Sequence, residues 1–95
     1  MTTKLTGTAL ECYILTGLNI KDMYDEELYG AQILKNVPSS VSIDGPTLYA
    51  TIDKLAAEGK ITKRAAVQNG VYCEPCKITP LGKDWLKSFL EYIEK

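Results

Sequence analysis

Apolar residues recur along the chain with two different periods. Leu10, Tyr13, Ile14, Gly17 and Leu18 fall at i, i+3, i+4, i+7 and i+8, which predicts a first helix over 8–18, ended by Gly17 and Asn19. Tyr29, Ile33 and Val37, with Leu34 beside them, predict a second helix. Asp25-Glu26-Glu27 would supply its cap and an acidic first turn, Gly30 would lie inside it at a close helix–helix approach, and Pro38 ends it. Val41 and Ile43 are enough for one brief strand. From Asp44 to Gly59 runs a third helix with both ends written out. Asp44 or Gly45 can cap it, Pro46 suits its first position, and Gly59 suits a left-handed C-terminal cap. Leu48, Ile52, Leu55 and Ala56 form its buried stripe, while Thr47, Ala50, Asp53, Lys54 and Ala57 occupy the opposite face.

After Gly59 the period becomes two. Lys60–Val67 and Val71–Ile78 flank Gln68-Asn69-Gly70, and Asn-Gly is a strong signal for a two-residue hairpin turn. That turn sets Gln68 opposite Val71, Val67 opposite Tyr72 and Ile61 opposite Ile78. Pro75 has no N–H to give a ladder, so the second strand is an edge or bulges there. Thr79-Pro80 then opens a last helix running to the C-terminus. Its apolar residues make two rows, Leu81-Trp85-Phe89 with Tyr92, and Leu86-Leu90-Ile93. One row covers the chain's own core and the other is surplus. The order is helix, helix, short strand, helix, hairpin, helix. That is a mainly α (α+β) winged helix-turn-helix, with the third helix in the recognition position and the hairpin as a two-stranded wing. The whole chain, 1–95, reads as one domain: a core with wing over 1–78 and a C-terminal helix over 79–95.

Composition narrows the function. With 45% apolar and 24% charged residues the chain is that of a globular protein, and no apolar run approaches the ~20 residues of a membrane span. There is no signal-peptide pattern, so the expected location is cytoplasmic and the three cysteines are expected as thiols. The net charge is −1, but it is unevenly spread: three lysines face six acids over 1–44, whereas five basic residues face three acids over 45–78. Positive charge therefore gathers, weakly, around the third helix and the hairpin. With no histidine, no glycine-rich phosphate loop and no nucleophile–base pattern, an enzyme is not expected.

For nucleic acid the candidate contacts are Thr47, Ala50, Thr51 and Lys54 on the third helix, because threonine methyls and alanine suit thymine methyl groups and hydroxyls suit phosphates. Ser39, Ser40 and Ser42 in the preceding loop could donate to flanking phosphates. Lys63 and Arg64 on the first wing strand are the nearby cations, pointing to opposite faces. Cys73-Glu74-Pro75-Cys76 has the spacing of half a zinc site or a redox dithiol. Only Cys12 remains as a further cysteine ligand, so no metal and no cofactor is assigned.

Several short pieces, in order along most of the chain, resemble the PadR-like transcriptional regulators. They are Leu28-Tyr29-Gly30 with Ile33-Leu34, then Gly45-Pro46-Thr47-Leu48-Tyr49 with Leu55 and Glu58-Gly59-Lys60-Ile61, then Ile78-Thr79-Pro80-Leu81-Gly82. The resemblance implies a homodimeric winged-helix repressor that binds double-stranded DNA at a pseudo-palindromic operator. It implies dimerisation through the C-terminal helix, for which Trp85, Leu86, Phe89, Leu90 and Ile93 are the candidates, with Leu10 of the first helix. It also implies a phosphate contact for Tyr49, and for some members a small hydrophobic effector, which Trp85 and Phe89 could hold between subunits. The wing of this chain, Gln68 to Cys76, has no basic group and one acid. An interaction module that binds protein and no DNA is therefore the alternative reading, and a thiol or zinc sensor a third.

Overall fold

The computed structural model describes residues 2–93. Helix α1 (Gly7–Asp22) supplies the inner face on which everything else is packed: Leu10, Ile14, Leu15 and Leu18 are all buried. It runs four residues beyond the expected end. Gly17 and Asn19 lie inside it, and Gly17 does not stop the helix but lets Leu28 approach, with Leu28 Cδ2 3.6 Å from where a Cβ would stand. Burial of Leu18 outweighs the modest propensity cost of that glycine.

Helix α2 (Gly30–Lys35) is shorter than the pattern predicts. Its first residue is Gly30, and the N-cap is Tyr29, whose backbone N–H donates to Gln32 Oε1 at 3.1 Å. The acids placed in its first turn instead precede it. Asp25 takes a left-handed φ of 56° in the reversal after α1, and Leu28 forms an antiparallel bridge with Cys76. The close approach expected at Gly30 is present, but as a side-chain contact: the ring of Tyr49 lies where a Cβ on Gly30 would be.

Strand β1 (Thr3–Lys4), which the hydrophobic pattern does not mark, pairs in parallel with β2 (Val41–Ser42). Helix α3 (Gly45–Ala57) has the expected bounds. Asp44 is the N-cap, accepting from Thr47 N at 3.1 Å and from Thr47 Oγ1 at 2.8 Å. At the other end Gly59 adopts φ 78°, while its N–H reaches Ala56 O at 3.1 Å and that of Lys60 reaches Leu55 O at 3.0 Å. This is the Schellman closure that a glycine at this position permits.

The wing is one hairpin in one register. Strand β3 (Ile61–Lys63) pairs with β6 (Cys76–Ile78), setting Ile61 opposite Ile78, and β4 (Ala66–Gln68) pairs with β5 (Val71–Cys73), setting Gln68 opposite Val71. Pro75 interrupts the ladder without shifting it, so no residue bulges out. Arg64 N–H still donates to Pro75 O at 3.2 Å across the gap. Asn69 and Gly70 turn the chain with φ of 53° and 77°, as a type I′ turn requires.

Helix α4 (Pro80–Ile93) begins at Thr79, whose hydroxyl accepts from Gly82 N at 3.1 Å and donates to Gly59 O at 2.6 Å. Thr79 N–H also donates to Lys60 O, at 3.1 Å, which ties the start of α4 to the end of α3. The helix was expected to reach the C-terminus; Glu94 and Lys95 lie outside the described residues. Leu86 joins Leu48, Ile52, Leu55, Ile61 and Ile78 in the core around α1. Among the described residues, no helix is long and apolar enough to cross a membrane.

Candidate nucleic-acid interface

Folding places the candidate DNA contacts on the outer side of α3, on the loop before it and on the first wing strand. Leu48, Ile52 and Leu55 face inward, so Ala50, Asp53 and Lys54 are turned out by helical geometry alone. Tyr49 is half exposed and its ring rests on Gly30. The two threonines are less free than their exposure implies. Thr47 Oγ1 donates to Asp44, and Thr51 Oγ1 donates back to Thr47 O at 2.8 Å. Ser39, Ser40 and Ser42 are exposed; the carbonyls of Ser40 and Ser42 accept from Thr3 and Leu5, tying the loop to the N-terminal strand.

Each of the candidate cations already has an anionic partner. Lys54 reaches Glu11, a carboxylate buried on α1, at 3.3 Å. Lys63 is hydrogen-bonded to Asp53 on α3 and lies 3.6 Å from Glu74 across the wing. Arg64 grips Glu27 with two parallel bonds, Nε to Oε2 at 2.9 Å and Nη2 to Oε1 at 2.6 Å. The hydrogen bond from Arg64 holds the Glu27 carboxyl below its ordinary range, and the hydrogen bond to Asp53 raises Lys63 above its own. Glu11, Glu27, Asp53 and Glu74 are therefore functional neighbours that sequence reading left out. Glu11 and Glu27 belong to the acidic first part of the chain, where six acids face three lysines, and that excess was the one signal of them in the sequence. Lys63, the last residue of β3, and Arg64, just beyond it, do point to opposite sides, one toward α3 and one toward the segment before α2.

The candidates for dimerisation divide. Leu10 and Leu86 are 0% and 4% exposed, core residues of this chain and not part of an outer face. The row assignment on α4 is corrected accordingly: Leu86 turns inward, whereas Leu81, Leu90, Tyr92 and Ile93 are exposed and Trp85 and Phe89 half-buried. The rings of Trp85 and Phe89 stack at 5.3 Å, and Lys60 Nζ lies 4.7 Å over the Trp85 ring. Of the C-x-x-C pair, Cys76 is buried with its thiol pushed up to about 11 by desolvation. A thiol so raised stays protonated near neutrality, which opposes thiolate chemistry there. No group of three or more metal-ligating side chains comes together among the described residues.

This arrangement of recognition-position helix, flanking wing and final helix recurs in solved structures. PadR from Bacillus subtilis, solved in complex with operator DNA, superposes with a TM-score of 0.72 at 27% identity, over 85% of this chain and 47% of that one. A transcriptional regulator from Clostridium thermocellum superposes at 0.73 with 25% identity, over 88% of this chain and 81% of that one. The chain is PadR-like. A PadR family transcription regulator from Clostridium difficile R20291 shares the fold at 20% identity, with a TM-score of 0.71 over 90% of each chain. No family model and no curated protein matches the sequence, so the PadR-like assignment stands on shape and on the short motifs in order. In the PadR-like frame, α3 is the helix in the recognition position, β3 to β6 form the wing, and α4 is the C-terminal helix that follows it.

Proposed function

We propose that the protein is a DNA-binding transcriptional regulator that acts as a homodimeric repressor. Each subunit lays α3 into the major groove of one half of a pseudo-palindromic operator, and occupancy blocks transcription. The observation that carries this reading is α3 itself. It is capped at both ends and packed on α1, it turns outward small or polar side chains together with the half-exposed Tyr49, and it has a wing beside it. Likeness to a regulator solved with operator DNA supports the same reading. Half-sites lie about one helical turn apart, or a multiple of that. The exposed residues of α4, with the half-buried Trp85 and Phe89, form the face through which a second copy is joined. The stacked Trp85–Phe89 pair reads as packing more readily than as an effector site.

The test is fluorescence anisotropy of the purified protein on DNA from upstream of its own gene, at several salt concentrations, beside a scrambled duplex. Tight, sequence-preferring and salt-sensitive binding is expected, on this duplex or on one recovered from a selected DNA pool. Equal and feeble binding throughout overturns the proposal. A second reading, an interaction module for protein without DNA, is favoured by one finding: Lys54, Lys63 and Arg64 are all neutralised within the fold, beside a wing tip with no charge.

A further inference from the structure

Between the wing, the start of α2 and the flank of α3 lies an open cleft of about 330 Å³. That is the lower end of the size range for small-molecule sites. Tyr29, Tyr49 and Tyr72 line it, and the buried side chains of Ile52 and Cys76 close its inner side. Its charged wall is the group Asp53, Lys63 and Glu74, in which one ammonium bridges two carboxylates. The DNA-binding reading uses Tyr49 and Lys63 alone of this lining; Tyr29, Tyr72, Asp53 and Glu74 have no part in it, and the two carboxylates oppose a phosphate.

We propose that the cleft binds a small aromatic cation, an arylalkylammonium in chemical class. The local charge decides the sign. Two carboxylates against one lysine leave the wall net negative, so an anion is repelled, and a neutral ring gains nothing from Asp53 and Glu74. A cationic head takes Asp53 or Glu74 as its partner in competition with Lys63. Tyrosine faces carry negative quadrupole charge, so they attract the same head and stack with its ring. Binding loosens the hold of Lys63 on Asp53, which is the polar tie between the wing and α3. The site is built from one subunit alone and stands whether or not the protein binds DNA.

The experiment is calorimetric titration of the purified protein with phenethylammonium, beside its uncharged isostere 2-phenylethanol and the anion 3-phenylpropionate. Saturable binding of phenethylammonium in the millimolar range or tighter is expected, with the alcohol and the anion weaker by about ten-fold or more. Asp53 and Tyr72 are exposed, with 66% of the Asp53 side chain and 63% of Tyr72 open to solvent, so neither substitution empties the core. Asp53→Asn and Tyr72→Ala each weaken the ammonium several-fold, and amide shifts in the wild type cluster at Tyr29, Ile52 and Cys73. Equal affinity for the alcohol, undiminished binding in both variants, or no saturation up to about 10 mM overturns the proposal.

Discussion

Arg64 donates Nε and Nη2 together to Glu27, so the guanidinium that a phosphate would seek is already held. Glu27→Gln removes the competing charge and keeps the shape. DNA affinity is expected to rise, by no more than about five-fold because the pair is exposed, in an anisotropy titration at low salt. Arg64→Ala should do the reverse, weakening binding to every sequence and lowering the salt slope by about one unit if the residue meets one phosphate. An unchanged slope would mean that it never does. Lys54 is a poorer probe, because its removal strands the buried carboxylate of Glu11 and lowers stability as well. The carboxylates also set a pH limit. The Thr47 hydroxyl and amide lower Asp44, and Arg64 lowers Glu27, from ordinary values of 3.8 and 4.5. Each therefore contributes stability that is complete above its ordinary value and is lost as pH falls through the lowered one. The thermal midpoint should be flat down to about pH 4.5 and decline below it. A double variant, Glu27→Gln with Asp44→Asn, should show a shallower decline.

Two glycines distinguish kinds of close contact between elements. At Gly82 a Cβ would run into the carbonyl oxygen of Lys60, a backbone atom fixed by the junction of α3 and α4. Gly82→Ala is expected to cost about 1–3 kcal/mol in chemical denaturation. At Gly30 the obstacle is the far end of the Tyr49 ring, half exposed and free to swing aside. Gly30→Ala should cost less than about 1 kcal/mol, partly offset by better helix propensity. The same division separates what could be read along the chain from what could not. Helix α3 and the wing were legible because their signals are local: a cap at Asp44, a left-handed stop at Gly59, a turn at Asn69-Gly70. The end of α1 was not, since Gly17 reads as a stop until Leu28 is known to pack on it. The acids before α2 looked like a helix start because no local rule reveals partners 37 and 52 residues away, at Arg64 and Lys77. The candidate site was half legible for that reason. Its cations could be named, and the carboxylates that hold them could not.

For the molecule as a whole, the proposed function gives α4 two opposed tasks on neighbouring residues. Leu86→Ala should unfold or weaken the chain by about 2–5 kcal/mol, as expected for a truncated core leucine. Leu90→Lys with Ile93→Lys should leave the melting of the subunit nearly unchanged but convert a dimer to a monomer in sedimentation velocity. If that variant sediments as the parent does, this face is not the joint between copies. The wing has a different standing. Its two ends meet at the Ile61–Ile78 pair and stay in step to the tip, even across the gap at Pro75. The next pairs are tied to the body as well, Cys76 to Leu28, Lys63 to Asp53 and Arg64 to Glu27. The outer hairpin, Ala66 to Cys73, extends from that base like a cassette from a holder. Residues added in matched twos, one pair to each strand, would lengthen it and keep every side chain on its present side, whereas a single added residue would turn the remainder over. The outer hairpin can thus be exchanged, a charged tip for this uncharged one, while α1, α3 and α4 keep their places.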